Sequence, residues 1–191
     1  MQLPWDEHFN EIVIRAWQAF LAAECRLKDA VDSKAAEAIT HAGYDALREG
    51  GAATIYLHHF ADIVLRARPD WLPREAKTPN HVRSWVSGHC AMSRTERQMT
   101  DVELCGDVAD ALKHAVLTRN LDVRQVRGND AVLTLSGGCG ELSVDERSSS
   151  GNPHVIVIAN SGERALSSVL SNVIDGWRRA AHLDPPVAGI G

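Results

Sequence analysis

Three groupings of residues in this chain are of types that do chemistry. The first is Arg83-Ser-Trp-Val-Ser-Gly-His89, in which five residues separate an arginine from a histidine. In a metal-independent ribonuclease such a pair holds the scissile phosphate through the guanidinium and moves a proton through the imidazole. Six steps along a continuous helix turn through roughly 600°, which leaves the two side chains about 120° apart. Arg83 and His89 therefore converge only if the helix breaks at Gly88 or a second subunit contributes. Otherwise His89 is a partly buried neighbour of Trp85, and Arg83 is exposed.

The second grouping is Asp107, Asp110 and His114, with Lys113 beside them. Asp110 and His114 are four apart and share a helix face, so the carboxylate could orient the imidazole and raise its pKa. Acid/base work or phosphate binding would follow; the plainer reading is a solvated face with one favourable pair. The third is His58, His59 and Asp62, in which His58 and Asp62 share a face and could supply two metal ligands. A catalytic zinc generally needs a third protein ligand. His41, His81 and His154 are not anchored by any nearby spacing, so neither a metal nor another cofactor is expected. Gly137-Gly-Cys-Gly140 lacks a Lys-Ser/Thr and lies between strand-like segments, which suits a hairpin better than a phosphate cradle. Nothing adjacent would lower the pKa of Cys139.

These residues must be positioned by elements whose order is readable from hydrophobic rhythm. Apolar residues recur every three or four positions up to about residue 120, alternate or cluster between 123 and 159, then return to helical spacing. Pro4 opens a first helix on which Phe9, Ile12, Val13, Ala16, Trp17, Phe20 and Leu21 form one apolar stripe out to Leu27. Asp32 or Ser33 caps a second helical region, which Gly50-Gly51 breaks or kinks, since two glycines cost about 2 kcal/mol against alanine. Pro69 and Pro73 enforce an exit loop. Thr78-Pro79 begins a short third helix with Val82, Trp85, Val86 and His89 on one side, and Thr100-Asp-Val-Glu103 forms a capping box for a fourth at about 101–119. Asp122–Val126, Ala131–Leu135 and Glu141–Val144 read as short strands, and Val155–Ala159 as a strand covered on both faces. Asn160 with Glu163 caps a last helix striped by Leu166, Val169, Leu170, Val173, Ile174 and Trp177.

The 191 residues are 45% hydrophobic and 24% charged, ordinary values for a soluble globular chain, and the five Trp suggest a few large packing anchors. A formal charge of −5 offers no footprint for general duplex-DNA binding, although a local basic patch is compatible with it. Cys25, Cys90, Cys105 and Cys139 form no C-x-x-C pair and read as free thiols of a cytoplasmic protein. No apolar stretch approaches the roughly 18 residues that cross a bilayer. The expected fold is α+β and mainly α: a four-helix bundle with a small antiparallel sheet inserted before a fifth, C-terminal helix. A single domain is expected over 1–184, with helices in 1–120, the β insert at 121–160, the closing helix at 161–183 and a mobile tail at 185–191.

The helical layout, together with Asp107-Val-Ala-Asp-Ala-Leu-Lys-His114, resembles uncharacterised prokaryotic and phage-associated proteins in which an Asp-x-x-Asn-x-x-Lys-His stretch ends a bundle helix. Those proteins are in turn similar to the HEPN helical bundles found among toxins and defence ribonucleases. Asp110 stands where that stretch has Asn, and Ser84 follows Arg83 where the ribonuclease motif has Asn, Asp or His. The resemblance thus implies a cytoplasmic, non-enzymatic binding or regulatory protein in a phage, toxin or defence setting, with a protein or RNA partner and a homodimeric state. Its alternative is a metal-independent endoribonuclease, working across a dimer with Arg83 and His89, or with Asp110, Lys113 and His114.

Overall fold

A computed structural model of the chain describes residues 3–92, 97–113, 125–126, 132–135, 153–160 and 162–183. The fold is α+β and mainly helical, with a small antiparallel sheet before the C-terminal helix.

Helix α1 (Trp5–His8), a π-helical segment (Phe9–Ile14) and α2 (Arg15–Ser33) follow one another without interruption as one rod. Most of its expected stripe faces the core: Phe9, Val13, Phe20 and Leu27 are each at most 1% exposed, Ile12, Ala16 and Trp17 are partly buried, and Leu21, expected on the same face, is exposed because it lies at the edge of the stripe. The rod runs past its expected end, and Asp32 and Ser33 close it rather than capping the next helix. Asp32 pairs with Lys28, and the Ser33 hydroxyl donates to the Ala30 carbonyl at 2.7 Å. Lys34, at φ 57°, then turns the chain into α3 (Ala36–Ala67).

Helix α3 continues through Gly50-Gly51, where a break or kink was expected. A Cβ at Gly50 would lie 3.0 Å from both Phe20 Cε2 and Leu166 Cδ2, and one at Gly51 would lie 3.2 Å from Leu112 Cδ1. The glycines are there so that three other helices can approach α3, and that packing offsets their poor helix propensity.

After the proline-bearing loop comes α4 (Pro79–Ser87), with the Thr78 hydroxyl accepting the His81 N–H at 3.2 Å and Pro79 in its first turn. Helix α5 (Asp101–Lys113) starts where expected but without the capping box. The Thr100 hydroxyl donates to Gln98 Oε1 at 3.2 Å, and it is the Asp101 carboxylate that accepts the Gln98 N–H, at 3.0 Å. Strands β1 (Val132–Leu135), β2 (His154–Ala159) and β3 (Gly162–Ala165) pair antiparallel in that order, with Val132 opposite Val157 and Ile156 opposite Ala165. The expected strands at 122–126 and 141–144 lie almost wholly outside the described residues, as do the Gly137–Gly140 hairpin and the 185–191 tail. Of the first, Gln125 and Val126 are described and are not in a strand.

Helix α6 (Leu166–Ala180) begins later than expected. Residues 162–165 form a strand instead of the helix's first turn, so Asn160 and Glu163 do not cap it. Gly162, at φ 114°, reverses the chain into β3, and Arg164 reaches from that strand into the core. All six residues of the α6 stripe are at most 2% exposed. On the sheet, Val155, Ile156, Val157 and Ala159 are buried while Ile158 is exposed, so β2 is covered on both faces along only part of its length.

The core joins these layers through aromatic edges: Phe60 meets Trp177 at 4.7 Å, Trp177 meets Trp71 at 6.5 Å, and Trp71 meets Trp5 at 5.5 Å. A buried polar cluster holds the α5, β3 and α6 junction. Asp101 accepts from Arg164 Nη2 at 3.0 Å and from Asn172 Nδ2 at 2.8 Å. Asn172 also accepts the Ala91 N–H at 2.9 Å, which ties the loop after α4 to α6. Cys25, Cys90 and Cys105 are free, and burial pushes the Cys90 and Cys105 thiols up to about 12. Among the described residues, no helix is long and apolar enough to cross a membrane.

Candidate functional site

Where α3, α4 and α5 meet, residues from all three groupings come together: His58, His59 and Asp62 from α3, Arg83 from α4, Asp110 and Lys113 from α5. Val82 and Val86 anchor α4 with no exposure, and the Thr78 cap fixes where its first turn starts. Arg83 is thereby turned onto α3 and is mostly covered, contrary to its expected exposure. Its Nε and Nη2 reach the His58 carbonyl at 3.4 and 3.5 Å, and its Nη1 donates to Asn80 Oδ1 at 2.6 Å. Asp62 Oδ2 lies 3.8 Å from Nη2. Burial lowers the Arg83 pKa, opposed by the charges of Asp62, Cys105 and Asp110. The guanidinium is therefore held on several sides before any ligand arrives.

The His58 imidazole rests on Gly106 of α5, where a Cβ would sit 3.0 Å from both its Cε1 and Nδ1. Among the described residues its buried Nδ1 has no hydrogen-bond partner. Burial lowers its pKa to about 4, assisted by Arg83, His59 and Lys113 and opposed by Asp110, so the ring is neutral at pH 7. His59 is different. Its ring crosses that of His58 edge-on at 5.3 Å, its side chain is about half exposed, and its Nδ1 lies 3.3 Å from Asp62 Oδ2. A carboxylate accepts, so Nδ1–H donates to Asp62 and Nε2 keeps its lone pair. Into that lone pair the exposed Lys113 ammonium donates. The result is Asp62–His59–Lys113 in a row, next to a fixed guanidinium. Such a set can present the Lys113 ammonium and the edge of the Arg83 guanidinium to phosphate oxygens, and His59 Nε2 can accept a proton.

Of the sequence-derived candidates, Arg83, Asp110 and Lys113 join this site and His89 does not. Helix α4 ends at Ser87, and the chain beyond Gly88 carries His89 toward α6 instead of toward Arg83. There its Nδ1 lies 2.9 Å from the Trp85 carbonyl, its ring packs 4.7 Å from the indole, and its own carbonyl accepts from Arg179 Nε at 2.7 Å. His114, and with it the Asp110–His114 pair, lies outside the described residues. Asp107 serves the fold, its carboxylate accepting the Gln125 N–H at 2.6 Å. Asp62 is engaged by His59 and Arg83, and among the described residues no three His, Cys, Asp or Glu side chains are placed to hold a metal.

The His59–Lys113 contact and the Asp101–Arg164–Asn172 cluster escaped the sequence reading. Each joins residues far apart in the chain, whereas helical spacing reports only neighbours on one element. No family model, curated protein or solved structure matches the chain.

Proposed function

We propose that the protein is a non-enzymatic binding or regulatory protein that takes single-stranded RNA through phosphate contacts at the Arg83, His59 and Lys113 site. The observation that carries this reading is the meeting of an immobilised guanidinium, an exposed imidazole and an exposed ammonium from three helices at one place. The guanidinium and the ammonium are charge-assisted donors that suit phosphate oxygens, and His59 orients the ammonium. Asp62 and Asp110 offset the two fixed cations, and the chain carries −5 overall, so the site selects by donor geometry instead of gripping any polyanion. The divergence of Arg83 from His89 also favours binding over the cutting pair of the HEPN ribonucleases.

The test is fluorescence anisotropy with a labelled 12-nucleotide oligoadenylate at two salt concentrations. Lys113→Ala or His59→Ala is expected to weaken binding by at least fivefold with an unchanged circular-dichroism spectrum. Equal binding by both variants would remove the proposal. Its cytoplasmic, homodimeric and phage, toxin or defence setting follows the resemblance to HEPN bundles. Light scattering of the purified protein checks the dimer, and a neighbouring antitoxin, nucleotidyltransferase or phage gene checks the setting.

The Asp62–His59–Lys113 row supports a second reading, a metal-independent endoribonuclease with His59 as the proton carrier. Under it, the protein cleaves mixed RNA in EDTA, and His59→Ala or His114→Ala abolishes cleavage while the fold is retained. Intact RNA at high protein concentration would exclude that reading.

A further inference from the structure

On the far side of α4 lies a second surface that the site above does not use. Trp85 is the exposed tryptophan of the chain, at 39%, whereas Trp177 is 2% exposed in the core. Its indole leans on the His89 imidazole at 4.7 Å and an interplanar angle of 59°, and the 2.9 Å contact between His89 Nδ1 and the Trp85 carbonyl fixes that pairing. Beside it, Arg179 at the end of α6 is held by the His89 carbonyl. Arg97 and Arg178 flank Asp175 at 3.2 and 3.7 Å. Three guanidinium groups thus lie along this end of α6, interleaved with the carboxylates of Asp175, Asp101 and Glu103.

We infer that Trp85 and His89 form a nucleobase-stacking platform for single-stranded RNA, with Arg179, Arg178 and Arg97 taking the flanking phosphates. This rests on the RNA reading above and extends it. An exposed aromatic held rigid by a neighbour, set among arginines, is the arrangement by which single strands are bound without reading their sequence, because every base has a π-face. Trp85 follows Arg83 by two positions, about 200° around a helix. Helix α4, at nine residues, is roughly 13 Å long, so a strand crossing it could reach both surfaces.

The experiment compares the intact chain and three variants on labelled 12-nucleotide oligoadenylate and on inorganic polyphosphate, which carries charge without bases. Trp85→Ala is expected to weaken oligoadenylate binding about tenfold and leave polyphosphate binding unchanged, whereas Trp85→Phe stays within about threefold of the parent. Circular dichroism checks that each variant is folded. If Trp85→Ala binds oligoadenylate like the parent while Lys113→Ala does not, the platform is overturned and the earlier site stands. If Trp85→Ala weakens binding and Lys113→Ala does not, the platform stands and the earlier reading fails. Equal losses on both polymers reduce the surface to an anion contact and overturn stacking, and a parent that binds no oligoadenylate overturns both.

Discussion

His58 shows how far a residue's chemistry departs from what its type suggests. Read in isolation, it is one of two adjacent histidines with a carboxylate four residues on. Folded, it is a neutral ring laid on Gly106, and its exposed neighbour His59 takes the carboxylate. The folded ring takes up a proton only near pH 4, whereas the unfolded chain does so near pH 6.5. His58 therefore contributes stability that is complete above pH 6.5 and is lost as pH falls from there toward 4, about 2 kcal/mol after allowance for its solvent-exposed edge. Urea unfolding of the parent and of His58→Asn at pH 7 and pH 4.5 measures this, and the parent should lose more stability on acidification. Equal losses would mean that the ring titrates normally. Gly106→Ala should cost about 1–2 kcal/mol, because a methyl group 3.0 Å from the imidazole forces the ring or the helix to shift. A thermal melt unchanged from the parent would contradict that close approach.

Among the elements, the buried faces were readable because the 3.6-residue period records burial directly, as the fully covered Leu166-to-Trp177 stripe illustrates. Boundaries were less so. Gly50-Gly51 has the composition of a break, yet the rings and methyls of Phe20, Leu166 and Leu112 occupy the space the missing side chains leave. Residues 162–165 carry a serviceable capping pattern with Asn160, but pairing to β2 and the burial of Arg164 on Asp101 win over it. That ion pair is 6% and 0% exposed on its two sides. Removing one partner strands a buried charge, so Arg164→Met should cost about 3–5 kcal/mol, read as a lower urea midpoint at constant slope. The double variant Arg164→Met with Asp101→Asn should recover much of the loss, because the amide carries no charge and its oxygen still accepts from Asn172 and the Gln98 N–H. A single variant as stable as the parent would show that the pair carries little of the junction.

Across the whole molecule, the α+β, mainly helical layout was foreseeable, since each amphipathic element had to bury its stripe against another. The site was readable only as parts. Arg83 was visible as a cation, Lys113 as a neighbour of Asp110, and His59 as half of a pair, but their meeting depends on how α3, α4 and α5 pack, which no local spacing encodes. The surface at Trp85 was hidden for the same reason: an indole on a helical stripe reads as core until the helix is docked. The most direct test of the central claim is a double-mutant cycle on oligoadenylate binding with His59→Ala, Lys113→Ala and the pair. If these side chains form one phosphate-binding unit across α3 and α5, each single variant weakens binding at least fivefold and the double variant loses clearly less than the product of the two. Fully multiplicative losses, or singles that bind like the parent, would contradict it.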